Sequence, residues 1–188
     1  MRDLSLHILD IVQNSINAGA SEVTVHMGHN VENNSLVLEI IDDGMGMDAD
    51  FLNRVDDPFV TTRTSRKVGL GISLLKESAL KSGGNFKITS EKNKGTKVNA
   101  IFPIHNIDRL PLGNVSDTLI ALLKANPDVR FVVLMDSKNG EFRLDTAEIL
   151  EILKGVSITE FEVLNWLKEY VDDGIKNIFG GVLNEVDS

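Results

Sequence analysis

LSLHILDIVQNSINAG, residues 4–19, is the stretch from which the rest of the chain can be read. At 100° per residue, Leu4, Ile8, Leu9, Ile11, Val12 and Ile16 cover one side of a helix. His7, Asp10, Gln13, Asn14 and Asn17 share the other side, and Gly19 is placed to end the helix as a C-cap. The polar side has two readings, a solvated surface or a face turned toward a ligand. Asp10 and Asn14 lie one turn apart, so their side chains can converge on one spot. A carboxylate there accepts a proton from a water or hydroxyl, and an amide oxygen coordinates a hard cation such as magnesium.

Working outward, Val23, Val25 and Met27 alternate with polar residues as in a half-buried strand. Residues 35–42 (SLVLEIID) read as a second strand across an Asn-rich hairpin loop. That strand runs into IIDDGMGM, residues 40–47. Gly44 and Gly46, at alternate positions, let the backbone approach a flat ligand closely. Asp42, leaving the strand, can accept a hydrogen bond from an exocyclic amino group such as adenine's. Asp-Gly is equally common as plain turn chemistry. Residues 48–68 are polar and irregular, a long loop for a compact domain. Within DPFVTTRTSRKVGLGISLL, residues 57–75, a basic loop with Arg63, Arg66 and Lys67 leads into Gly69-Leu70-Gly71 and a helix over 70–82. A glycine-bounded helix N-terminus offers free amides and a positive dipole to a phosphate. Strands near 85–90 and 96–102 follow, and Lys94-Gly95-Thr96 opens the last of them.

Charge suggests a division near Pro103. Residues 1–103 hold 11 Lys and Arg against 13 Asp and Glu, a net of −2, whereas residues 104–188 hold 8 against 15, a net of −7. The reading is therefore a first unit at 1–103, a linker at 104–113 and a small acidic α/β unit at 114–188. The second unit carries a helix near 116–125 with Ser116 as N-cap and a strand RFVVLMD before a hairpin turn. Helices follow near 146–154 and 158–172, the last with Ser157 and Glu160 at capping-box spacing. Phe161, Leu164, Trp166 and Leu167 read as its core. With 42% hydrophobic residues a real core can be built. A net charge of −9 argues against nucleic-acid binding, and no stretch approaches the length of a membrane span. The absence of cysteine excludes disulfides and thiolate metal sites and fits a cytoplasmic protein.

Each motif alone is weak, but their order and spacing together resemble the GHKL ATPase family of histidine kinases, anti-sigma factor kinases, gyrase and MutL. QNSINAGA (13–20) is similar to its N box, DDGMGM (42–47) to its first glycine box and DPFVTTR (57–63) to the phenylalanine box and start of the ATP lid. GLGIS (69–73) is similar to the second glycine box and KGTKV (94–98) to the last. The resemblance implies an α+β Bergerat fold, a mixed sheet covered on one face by helices, with ATP and Mg2+ as cofactors. It assigns Asn14 to the magnesium, Asp42 to the adenine amino group, and Gly44 and Gly46 to the shape of the adenine pocket. Gly69, Leu70 and Gly71 would meet phosphates through their amides, with Arg63 and Lys67 as lid contacts. Thr96 would help fix a water beside adenine, and Asp10 would stand at the general-base position, one methylene shorter than the glutamate usual there.

A sensor histidine kinase places a phospho-accepting histidine on a helix pair before its ATP domain. Here the N box lies within the first twenty residues, and His7, His26, His29 and His105 have no acceptor context. The expectation is a stand-alone regulatory kinase that passes the γ-phosphoryl group to a partner protein, or a slow ATPase. The alternative is a nucleotide-gated switch that binds a partner with little turnover. A protein partner or substrate and a possible homodimer go with both readings.

Overall fold

The computed structural model describes residues 2–55 and 70–186. Helix α1, Leu4–Asn17, forms where its apolar stripe predicts it. Asp3 caps it by accepting from the Leu6 amide at 3.1 Å, and Gly19 follows with φ +76°. Strands β1 (Glu22–Asn30) and β2 (Ser35–Asp42) make an antiparallel hairpin in which Val25 faces Ile40 and Met27 faces Leu38. A four-residue helix α2, Ala49–Leu52, capped by Asp48, lies inside the stretch read as irregular. Helix α3 (Leu70–Lys81) and strands β3 (Asn85–Glu91) and β4 (Gly95–Pro103) complete the first half. β4 lies between β3 and β2, antiparallel to both.

The expected boundary at 104–113 is not a boundary in the sheet. After helix α4 (Val115–Ala125), strand β5 (Arg130–Ser137) pairs parallel with β1, Val25 beside Val133, and β6 (Gly140–Asp145) pairs antiparallel with β5. The result is one six-stranded mixed sheet in the order β3-β4-β2-β1-β5-β6. The stretch read as a linker is docked on both sides. Its Pro111 and Leu112 carbonyls accept from the Leu4 and Ser5 amides, both at 2.9 Å, so they satisfy donors that the first turn of α1 leaves free. Arg109 pairs in bidentate fashion with Glu185 at 2.7 and 2.8 Å, tying this stretch to the far end of the chain. The charge shift between the halves marks a change of surface, not a separate core.

Alternation along the strands gives the sheet one apolar face. Val23, Val25 and Met27 share that face with Leu36, Leu38 and Ile40, with Val98, Ala100 and Phe102, and with Phe131, Val133 and Met135, all buried. α1 lies over β1 and β2, and α3 over β3 and β4. α6 (Phe161–Phe179) covers β5 and β6, while α4 packs between α1 and α6. The opposite face is mixed, with Val37, Ile41, Ile101, Val132 and Leu134 among polar residues. Glu39 there accepts from Lys97 at 2.8 Å and from Asn99 at 3.0 Å, and His26 pairs with Asp136.

Three local expectations in the second half are corrected. Asn114, not Ser116, caps α4 by accepting from the Asp117 amide at 3.1 Å. Ser116 lies inside the helix and donates to Asn114. Ser157 sits in the turn after α5 (Thr146–Leu153) and accepts from the Thr159 amide, while Glu160 stands at the N-cap of α6 without a side-chain cap bond. Of the four residues read as core, Leu164 and Leu167 are buried, with Val171 and Ile178 on the same stripe. Phe161 is 75% exposed and Trp166 52%. Trp166 falls on another side of α6, where it stacks on Tyr170 at 5.4 Å.

His7 also departs from its expected place on the polar side, because it is fully buried. Both its ring nitrogens lack a hydrogen-bond partner, and burial pushes its pKa down to about 4. The unfolded chain, with a histidine near 6.5, therefore binds the proton first. Stability is fully present above pH 6.5 and falls as pH drops toward 4, by roughly 3 kcal/mol at about 1.4 kcal/mol per unit. Urea melts at pH 7 and pH 4.5 check this: His7→Leu should lose clearly less stability between them than the unaltered chain does. Cutting the chain after residue 103 makes a second test, since it removes β5 from β1 and α4 from α1. The fragment should lack the cooperative thermal transition of the full chain in calorimetry.

Candidate nucleotide site

The strand register brings three polar residues into one row. On the helix-covered face Ile40, Val98 and Ile88 lie side by side, and the next inward row is Asp42, Thr96 and Ser90. β2 and β4 thus end on the apolar face with a carboxylate and hydroxyls where the core pattern would place aliphatics. Asp42 is 9% exposed and receives donors from three elements. Ser15 on α1 donates to Oδ2 at 2.6 Å, and the Gly44 and Thr96 amides donate to Oδ1 at 3.0 and 3.2 Å. A buried carboxylate needs such donors to replace water. Asp43, its neighbour, faces away and serves the backbone, accepting from the Ser21 amide at 2.7 Å and the Glu22 amide at 2.9 Å. The structure thereby separates the roles of two adjacent aspartates.

The glycines follow from close approach. A side chain at Gly44 would begin 3.0 Å from the Ala18 carbonyl, below which the Met45 amide bonds to that same oxygen at 2.9 Å. Gly46 has φ +60°, and a Cβ there would fall 2.0 Å from the Glu91 carbonyl oxygen. The loop is pinned between α1 and the β3–β4 turn, with Asn93 donating to the Met45 carbonyl at 2.7 Å and Met47 donating to Ser90 at 2.8 Å.

Above this floor is a cavity of about 540 Å³. Asn14, Asp42, Gly46 and Thr96 line it, together with Asn17. Its walls are apolar: Ile11 and Ile72 from the flanking helices, Met45 and Met47 from the loop, Phe51 and Val55 beyond it. Lys92 and Asn93 stand at the β3–β4 side. An apolar slot with a few convergent polar groups is what a nucleobase requires. Gly44 lies behind the floor rather than in the lining. Asp10 is half-buried, and α3 approaches it closely: a Cβ on Gly71 would lie 3.0 Å from the Asp10 Cβ and 3.4 Å from its Oδ2. Leu70 and Gly71 open α3 beside it, with Leu70 exposed and Gly71 buried. Arg63, Lys67 and Gly69 lie outside the described residues.

Two members of the site were missed, and both had a signal. Ser15 interrupts the apolar stripe of α1 between Ile8, Ile11 and Val12, and Ser90 interrupts the inward row after Phe86 and Ile88. A polar residue at a core-facing position demands a partner. Among the described residues no group of three His, Asp or Glu is placed to hold a metal ion, and no helix is long and apolar enough to cross a membrane.

Comparison with known proteins gives the family of the chain. A putative sensor protein of Shewanella frigidimarina is 33% identical over 103 residues, 54% of this chain and 16% of its own length. Sporulation kinase D of Bacillus subtilis is 27% identical over 99 residues, 52% of this chain and 19% of its own length. The chain thus spans about a fifth or less of the length of these relatives. Among solved structures, the N-terminal domain of a DNA repair protein superposes with a TM-score of 0.52 at 18% identity, covering 77% of this chain and 52% of that one, a likeness of fold alone. The family model for histidine kinase-, DNA gyrase B-, and HSP90-like ATPases matches residues 2–106, so the chain belongs to that family and carries its ATP-binding, histidine-kinase-like ATPase domain.

Proposed function

We propose that this chain is a regulatory kinase that holds ATP in the cavity floored by Asp42 and passes the γ-phosphoryl group to a protein partner. The observation that carries the reading is the Asp42 carboxylate, held by three donors at the end of an apolar slot. In this reading Asp42 accepts from the adenine amino group and Thr96 supports it. Gly46 leaves room for the ring, Gly44 lets the loop close behind the floor, and Ile11, Ile72 and the methionines sandwich the ring. Asn14, one turn from Asp10, would hold magnesium together with the phosphates, and the ion would neutralise the phosphate charge as it is transferred. The amides of Gly69, Leu70 and Gly71, with Arg63 and Lys67, would receive the phosphates. Phosphoryl transfer breaks the bond between the γ-phosphorus and the bridging oxygen and forms a bond to the acceptor's oxygen or nitrogen. The acceptor's proton passes to the Asp10 carboxylate, and ADP leaves. Kinase names among the relatives support transfer, and the absence of cysteine supports a cytoplasmic setting. Assembly as a homodimer is compatible with this role.

A second reading is favoured by the packing of Asp10. α3 packs against it closely enough that only glycine fits without a shift at position 71, and Asp10 is not among the residues lining the cavity. On that reading ATP binding alters the surface around the cavity, and that surface binds or releases a partner with little turnover.

Two measurements test these statements. With ATP and magnesium at about a hundred times Kd, stabilisation of roughly 2.7 kcal/mol should raise the melting temperature by about 5–10 °C. Asp42→Asn should abolish the rise and lower the nucleotide-free melting point, because an amide leaves buried donors facing a donor. An unchanged rise would remove Asp42 from the site. Label transfer from γ-labelled ATP to any protein of the source-cell lysate should fall at least about a hundredfold in Asp10→Asn if Asp10 is the base. Equal labelling by both proteins would exclude that role, and nucleotide-dependent partner binding without label would establish the switch.

A further inference from the structure

Ser90 lies under Thr96 on the neighbouring strand and does not line the cavity. Its Oγ has three polar neighbours. The Met47 amide, at 2.8 Å, can only donate. The Gly95 carbonyl, at 2.9 Å, can only accept. The third is Thr96 Oγ1 at 2.9 Å, where either oxygen could donate on distance alone. A serine hydroxyl has one proton and two lone pairs. The proton is taken by Gly95 and one lone pair by Met47, so Thr96 must be the donor in the third bond. Its own proton then points down at Ser90, and Thr96 Oγ1 shows only lone pairs to the cavity. Asp42 beside it has its oxygens fixed by the Ser15 hydroxyl and the Gly44 and Thr96 amides and likewise shows only lone pairs.

We propose that Ser90 is a positioning residue that sets base specificity: by holding the Thr96 proton away from the cavity it keeps the floor acceptor-only, so that 6-aminopurine nucleotides are taken and 6-oxopurine nucleotides refused. The proposal rests on the adenine-nucleotide reading of the cavity. A 6-amino group brings donors to the floor, whereas a 6-oxo group brings lone pairs against lone pairs, an uncompensated contact at a buried site. Ser90 also anchors both sides of the slot, since one oxygen joins the glycine loop at Met47 to the β3–β4 turn at Gly95. Without it Thr96 is free to turn its hydroxyl toward an incoming carbonyl.

The test uses the full chain with magnesium and measures Kd for ATP and for inosine triphosphate, which differs at the 6-position of the base. The unaltered chain should favour ATP by about a hundredfold. Ser90→Ala should shrink that ratio about tenfold, chiefly by improving inosine triphosphate relative to ATP. Ser90→Thr, which keeps the hydroxyl, should retain the ratio. In a Thr96→Val background, Ser90→Ala should change the ratio no further. If Ser90→Ala fails to fold, Ser90→Cys, with a weak donor and acceptor in the same place, should narrow the ratio in its stead. A Ser90→Ala chain that loses affinity for both nucleotides equally, with the ratio intact, would overturn the proposal and leave Ser90 a structural link. An unaltered chain that binds both equally, or neither, is a separate result and overturns the adenine reading itself.

Discussion

The buried carboxylate of Asp42 is the constraint on which the site and much of its surroundings depend. A charge removed from water is tolerated only with donors in place, and here they come from α1, the glycine loop and β4. Satisfying it therefore fixes where three separate elements meet. Gly44 can donate because nothing but hydrogen occupies its side-chain position against Ala18. Gly95 has φ +94°, and a Cβ there would lie 1.8 Å from the Asp42 carbonyl oxygen, so β4 can start only with glycine at that point. The polar row at the sheet's end and the glycines around it are one arrangement seen from two sides.

That arrangement stands on a core shared by the whole chain. The site's own elements occupy β1–β4, α1 and α3, yet β1 is an interior strand only because β5 pairs with it. The N-terminus of α1 is closed by carbonyls of the 104–113 stretch, and α4 packs along the helix that carries Asp10, Asn14 and Ser15. The C-terminal half thus holds α1 from behind while the cavity holds it from the front. Any partner engaging α4 or α6 touches an element in direct contact with α1 or with its neighbour α4. The acidic surface of this half carries the excess of negative charge that the composition shows.

Much of this was legible in the sequence because period and punctuation agreed. The stripe on α1, the alternation in β1 and the glycines of 42–47 each had a local physical cause, and the structure places Asn14, Asp42, Gly46 and Thr96 on one cavity. What failed was non-local or competitive. The merger of the two halves depends on β1–β5 pairing across more than a hundred residues, which no local pattern records. His7 reads as polar, but the close packing around α1 buries it. Ser116 and Ser157 are good capping residues, yet Asn114 and the turn after α5 took the positions that matter. Ser15 and Ser90 were visible as breaks in apolar rows, but their meaning required knowing which strands are neighbours.

The most direct test of the central claim is the structure of the full chain bound to a non-hydrolysable ATP analogue and magnesium. The base should lie in the slot between Ile11, Ile72 and the methionines, with its 6-amino group within hydrogen-bond distance of an Asp42 carboxylate oxygen, that is, about 3 Å. A nucleotide bound elsewhere, or a base in the slot with its amino group turned away from an Asp42 that keeps only its Ser15, Gly44 and Thr96 bonds, would contradict it.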